Sequence, residues 1–175
     1  MRLLCLDLAT RVGWACGSLE NTPPVAYGVV DLPPHTGRER GRYLATFRNW
    51  LDAAIKSMAP TGILFESPIL TPKTTVATVS KLWCLSGIAE LVAWDHELQC
   101  EEADLGSIRQ HFIGMRKAPV EIRKQDRRGW LKYRIISECR SRGFHVADDN
   151  DADALALLSY GLCLKRPGFD LRAAA

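Results

Sequence analysis

The sequence has no cysteine pair at C-x-x-C spacing and no cysteine–histidine grouping at zinc-ligand spacing. Its six cysteines, Cys5, Cys16, Cys84, Cys100, Cys139 and Cys163, are scattered among apolar neighbours, and its four histidines are equally dispersed. These absences argue against a zinc module or a disulfide framework and leave reduced, buried thiols as the reading. No G-x-G-x-x-G follows the opening apolar run, which disfavours a dinucleotide-binding domain. Neither a Walker-type phosphate loop nor a G-x-S-x-G elbow occurs, and there are no internal repeats. No apolar run approaches the roughly 20 residues that span a bilayer, so no membrane partner is expected. Asp7, inside the first apolar stretch, is unlike a secretory leader, and the expectation is a cytoplasmic protein.

What the sequence does contain is an ordinary globular composition with an uneven charge. The 175 residues are 47% hydrophobic and 25% charged, enough for one well-filled core, and a single domain spanning 1–175 is expected. The net charge of +3 hides an asymmetry. Between Arg109 and Arg142 stand eleven Lys/Arg against three Asp/Glu, while the rest of the chain carries twelve basic and seventeen acidic residues. A basic segment on an acidic body points to a polyanion-facing surface, nucleic acid above all. Arg116, Lys117, Arg123, Lys124, Arg127, Arg128 and Lys132 are its candidate phosphate contacts, and a solubilising helix-and-loop segment is the competing explanation.

Periodicity orders the elements as β-β-β-α-β-α-β-α-α-α, one mixed sheet with helices on its faces. Arg2 to Asp7 reads as a buried strand ending on an acid, followed by short strands at Val12 to Gly17 and Tyr27 to Leu32 around the turn Asn21-Thr22-Pro23-Pro24. A helix is predicted from about Arg38 to Met58, stopped by Pro60, and Ile63-Leu64-Phe65 is a strand that again ends on an acid, Glu66. Thr74 to Trp94 is a long helix apolar on two sides, one marked by Val79, Leu82, Leu85, Ala89 and Val92, the other by Trp83, Gly87 and Trp94. Such a helix needs two partners, either its own sheet and a second subunit or a single enclosing core. Leu98 to Ala103 is a fifth strand, Ser107 to Ile113 a short helix, and Gly114 to Arg127 a basic connection. Trp130 to Arg142 is helical, and Asp148-Asp149-Asn150 caps a last helix running to about Leu164.

The acids draw attention because a carboxylate ending a buried strand is costly unless it is paired or binds a cation. Asp7 and Glu66 are so placed, and Asp153 sits in the first turn of the last helix, among alanines and leucines that pack that turn against the sheet. Each acid alone has a structural explanation: a turn, a core arginine partner, a helix dipole. Three of them converging would repel one another without a metal between them. Hard oxygen ligands of this kind select Mg2+, with Mn2+ able to substitute, and a pair of ions can activate water against a phosphodiester.

The residues also resemble a known family. Leu4-Cys5-Leu6-Asp7-Leu8-Ala9-Thr10-Arg11-Val12-Gly13-Trp14-Ala15 is similar to the opening hairpin of the RuvC-type Holliday junction resolvases, within the ribonuclease-H-like superfamily. Ile63-Leu64-Phe65-Glu66 resembles their strand-four glutamate, and Asn150-Asp151-Ala152-Asp153-Ala154-Leu155-Ala156 the acid-rich start of their final helix. Lys81-Leu82 and Gly87 are weaker echoes. Sugar-kinase-like ATPases also begin with an acid after strand one. They need a glycine-rich phosphate loop, where this chain has Ala9, and a second lobe for which it has no room.

The resemblance implies a ribonuclease-H-like α/β fold, a five-stranded mixed sheet flanked by helices. It implies a homodimer, here through helix 74–94, that places two metal sites against a four-way DNA junction and nicks opposed strands, leaving 5′-phosphates. Asp7, Glu66 and Asp153 carry over as catalytic metal ligands, two Mg2+ ions per site, and Lys81 as a DNA contact. A phage-type member acting in a bacterial or phage-infected cell is the implied setting. One departure matters: three positions before the last acid the family often has Asp or His, and here stands Asn150. Helical phase favours Asn150 over Asp151 as the fourth ligand, and Asp149 substitutes only if the chain before the helix folds back. A related nuclease acting on RNA or RNA–DNA hybrids, and a nucleic-acid-binding module of this fold without catalysis, are the competing readings.

Overall fold

A computed structural model describes residues 1–20, 25–34, 39–68 and 75–173. The predicted turn at 21–24, Gly37 and Thr74 lie outside these residues. Five strands form one sheet: β1 (Arg2–Asp7), β2 (Arg11–Ser18), β3 (Ala26–Asp31), β4 (Gly62–Glu66) and β5 (Gln99–Ala103), in the order β3-β2-β1-β4-β5. The first three strands are an antiparallel meander, and β1–β4 and β4–β5 are parallel. Five helices cover the two faces: α1 (Arg40–Met58), α2 (Val76–Asp95), α3 (Leu105–Ile113), α4 (Arg127–Ser141) and α5 (Asp149–Lys165). The element order is the one periodicity predicts, and the end points shift by at most three residues, the largest shift being α4, which begins at Arg127 rather than Trp130.

The central strands are apolar throughout because both of their faces are covered. Side chains alternate across a strand, so Leu3 and Cys5 enter the core beneath α3, α4 and α5, while Leu4 and Leu6 enter the core beneath α1 and α2. On β4, Leu64 joins the first core, Ile63 and Phe65 the second. The same parity carries the strand-end acids. Asp7 follows Leu3 and Cys5, and Glu66 follows Leu64, so both carboxylates face the α5 side.

What brings α5 onto them is the absence of side chains. Asp7 pairs with Gly13 across the β1–β2 ladder. A Cβ built on Gly13 would stand 2.2 Å from the backbone oxygen of Asn150, so the first turn of α5 lies directly on the glycine backbone. Farther along α5, a Cβ on Gly161 would meet Leu64 Cδ2 at 2.7 Å and Leu3 Cδ1 at 3.0 Å. Asp148 caps the helix, its side chain accepting from the Asn150 and Asp151 amides.

Helix α1 buries Tyr43, Phe47, Leu51, Ala54 and Ile55 along one face and ends where Ala59 turns left-handed before Pro60. Helix α2 buries Leu85, Ala89, Val92 and Ala93, and the open question about its second side is answered: Val76, Trp83, Gly87, Leu91 and Trp94 are exposed. No uninterrupted apolar run spans a bilayer, since Lys81 and Glu90 interrupt α2, yet by length and composition alone this helix is long and apolar enough to cross one.

The two glycines differ in what blocks them. Gly13→Ala is expected to lower stability by at least about 3 kcal/mol, the upper end for overpacking, because backbone must move. Gly161→Ala meets only flexible leucine ends and should cost about 1 kcal/mol. Urea unfolding of the two variants checks the ranking; equal costs would place α5 farther from β2 than described.

Candidate active site

Asp7 and Glu66 end adjacent parallel strands, Leu6 standing in register with Phe65 one residue earlier. Asp153 lies one turn into α5. All three line one cleft of about 650 Å³, together with Asp149 and Asn150, the apolar Ala9, Leu82, Leu105 and Leu131, and five cations: Arg109, Lys124, Arg127, Arg128 and Lys132. The sequence-predicted acids, contributed by three distant segments, are therefore brought to one place.

Their electrostatics follow from that placement. Burial, then the charges of Asp153 and Glu66, hold the Asp7 carboxyl well above the usual carboxylate range. Glu66 is pushed up to about 7, by burial first and by Asp153 second, with Arg109 pulling it back. Burial raises Asp153 to about 6 against the opposing pull of Arg109, Lys132 and Arg128. Among the described residues, no hydrogen bond or ion pair satisfies any of the three carboxylates. Three half-buried carboxylates without a protein partner are a donor set that suits a hard divalent cation. The side chains face a common cleft rather than a closed cage: no three acidic, histidine or cysteine groups among the described residues stand close enough to hold an ion as they are.

The last helix sorts the candidates for a fourth ligand. Asp151 is buried and turned away, accepting a hydrogen bond from the Ala147 amide at 3.1 Å. Asn150 lines the cleft, and its Nδ2 donates to Asp148. Asp149 is in the cleft as well and pairs with Lys132, whereas capping, the role considered for it, belongs to Asp148.

The candidate DNA contacts divide. Lys124, Arg127, Arg128 and Lys132 rim the cleft. Arg127 nevertheless directs its guanidinium to the Ile122 and Val120 carbonyls and so holds the connection before α4 in shape. Arg116 is paired with Asp104 and Arg123 with Asp126, each at 2.7 Å. Lys117 is exposed and Lys81 lies outside the cleft lining, its ammonium donating to Thr10 Oγ1 at 3.0 Å over the Tyr43 ring.

Arg109 is the residue that sequence reasoning missed. It projects from α3 into the cleft, and its buried Nε has no hydrogen-bond partner among the described residues. The one signal in the sequence was an arginine between the apolar Ile108 and the Phe112–Ile113 pair of a helix otherwise packed on the core.

This architecture is the ribonuclease-H-like fold of the RuvC type. Over 97% of this chain and 98% of its own, the structure of Thermus thermophilus RuvC superposes with a TM-score of 0.67 at 15% identity. T. thermophilus RuvC in complex with Holliday junction substrate matches over 95% and 97% of the two chains, with a TM-score of 0.70 and 12% identity. The yeast mitochondrial Holliday junction resolvase Ydc2 matches over 91% of this chain and 76% of its own, with a TM-score of 0.56 at 12% identity. No family model and no curated protein matches the sequence itself.

The raised acids make a stability prediction with a definite sign. A carboxyl whose folded value is raised binds its proton more tightly in the native state, so the contribution of these acids to metal-free stability is greatest at low pH and is lost as pH rises. For Glu66 the loss runs from about 4.5 to about 7, and for Asp153 from 3.8 to about 6. The melting temperature of EDTA-treated protein should therefore fall between about pH 5 and 8, a range chosen to span those values. Glu66→Gln should raise metal-free stability at the upper end by about 2–3 kcal/mol. Calorimetry that found stability rising across this range would show the acids to be already compensated.

Proposed function

We propose that the protein is a divalent-metal-dependent endonuclease that resolves branched DNA, four-way junctions above all, by paired nicks. The observation that carries this reading is the convergence of unpartnered Asp7, Glu66 and Asp153 in one cleft rimmed by five cations. The fold supports it, being shared with a RuvC whose structure holds a Holliday junction substrate. Bound at Asp7, Glu66 and Asp153, with Asn150 or Asp149 completing the set, two Mg2+ ions would neutralise the phosphodiester and assist the attack of water.

The chain's own residues supply the rest. Lys124, Arg128 and Lys132 receive the DNA backbone at the mouth of the cleft, and phosphate contacts of this kind position a duplex without reading its sequence. Arg109 lines the same cleft with its charge acting on Glu66 and Asp153, and its guanidinium can take a non-bridging phosphate oxygen there. Arg127 holds the 120–126 connection against the cleft. The exposed stripe Val76, Trp83, Leu91 and Trp94 on α2 is the dimer interface, because a two-fold protein suits a two-fold junction and aromatic anchors dominate such contacts. Resolution of junctions serves DNA recombination and repair.

Cruciform plasmid, Mg2+ and EDTA controls, and linear duplex and RNA–DNA hybrid competitors test this together. The wild type should linearise the cruciform in one encounter, in Mg2+ and not in EDTA, and leave duplex and hybrid largely uncut. Asp7→Asn, Glu66→Gln and Asp153→Asn should each lower cleavage at least about a hundredfold while junction binding persists. Trp83→Glu should yield nicked circles instead of linear product. Preferential cutting of the hybrid would favour a ribonuclease; binding without cutting under all conditions would leave a binding module.

The salt dependence of junction binding separates the cations that the structure leaves free to meet DNA from those it engages. Neutralising Lys124 or Arg128 should flatten the log–log slope by about 0.9 for each phosphate that is no longer neutralised. Neutralising Arg116 or Arg123, each held by a local acid, should leave the slope unchanged. The reverse pattern would move the DNA path away from the cleft.

A further inference from the structure

Asp149 and Lys132 stand out because the ion pair that joins α5 to α4 stands in the cleft lining. Asp148 caps α5, Asp151 secures the Ala147 amide, and Leu131 anchors the first turns of α4 in the core. Asp149 and Lys132 instead reach across the cleft from α5 and α4 and meet each other beside Asp7, Glu66 and Asp153. Each side chain is about two-thirds buried, with exposures of 32% and 33%. The ammonium also lies close enough to Asp7 and Asp153 for its charge to favour their ionised forms. One lysine thus acts on three of the four acids in the cleft.

Building on the metal-site reading above, we propose that Lys132 is a built-in counter-cation of the metal-free cleft and that Asp149, which it holds, is the latent fourth carboxylate ligand. The charge arithmetic supports this. Asn150 brings an amide oxygen and no charge to a site meant for divalent ions. Asp149, one residue away and facing the same cleft, supplies the missing charge once released. An ammonium within a few ångströms of that site repels an incoming dication, so the two cations compete for the same acids. A lysine on its flexible four-carbon stem can trade a carboxylate for a DNA phosphate. Phosphate binding and metal binding then favour each other, because the move that gives DNA its cation also frees the acid for the ion.

The test is Mn2+ binding to the metal-stripped full-length protein without DNA, with free Mn2+ counted by electron paramagnetic resonance. Lys132→Met should bind Mn2+ about tenfold more tightly than wild type, since a competing charge is gone. Lys132→Gln should do the same and guards against an effect peculiar to methionine. Adding Asp149→Asn to Lys132→Met should abolish the gain, whereas adding Asp151→Asn should not. A variant that merely loosened the fold would lose affinity rather than gain it. Unchanged or weaker binding in both lysine variants, or a gain that survives Asp149→Asn, overturns the proposal. Wild-type binding that is absent, or indifferent to Asp153→Asn, overturns the metal-site reading itself and this inference with it.

Discussion

Three carboxylates crowded at the carboxyl ends of two buried strands and the first turn of a buried helix have their proton affinity raised, by desolvation first and, for Asp7 and Glu66, by a neighbouring acid as well, and everything around them accommodates that cost. A fold selected for stability alone would pair each acid or leave it in water. Here Asp7, Glu66 and Asp153 are half-buried and unpaired, while cations are placed at one remove: Arg109 from α3, Arg128 and Lys132 from α4. Ionising all three acids in the cleft is therefore costly, and such perturbed carboxylates cluster at sites more often than in a scaffold.

Precision at that site comes from backbone more than from side chains. Strand parity turns Asp7 and Glu66 to one face, parallel pairing sets them side by side, and Gly13 admits the first turn of α5 to backbone contact with β2. Asp153 is then delivered by a helix that is buried along most of its length and has no freedom to retreat. The connection before α4 has no such support from the core. Arg127 braces it by donating to the Ile122 and Val120 carbonyls, so one basic residue commits N–H donors to holding the connection in place.

Much of this was legible in the residues because it rests on short-range rules. Short continuous apolar runs ending on an acid marked β1 and β4, and an Asx-rich start followed by alanines and leucines marked α5 and its packing. What the sequence concealed depends on tertiary placement. Periodicity showed that α2 has two apolar faces but not that Trp83 and Trp94 would be left outside. Charge counting singled out Arg116, and the family resemblance Lys81, without seeing that Asp104 and Thr10 would engage them. Arg109 was invisible for the converse reason: its role depends on how α3 lies over α5, and no spacing rule conveys that. The cap was placed within one residue, yet that residue separates a structural aspartate, Asp148, from one facing the cleft, Asp149.

Everything proposed for the cleft turns on whether the three acids hold metal together. Crystals of the protein equilibrated with Mn2+, with anomalous scattering recorded at the manganese edge, ask this without reference to turnover. The result predicted is density enclosed by Asp7, Glu66 and Asp153 that vanishes in Asp153→Asn. Manganese bound elsewhere, or a cleft that stays empty while the acids find protein partners, would contradict it.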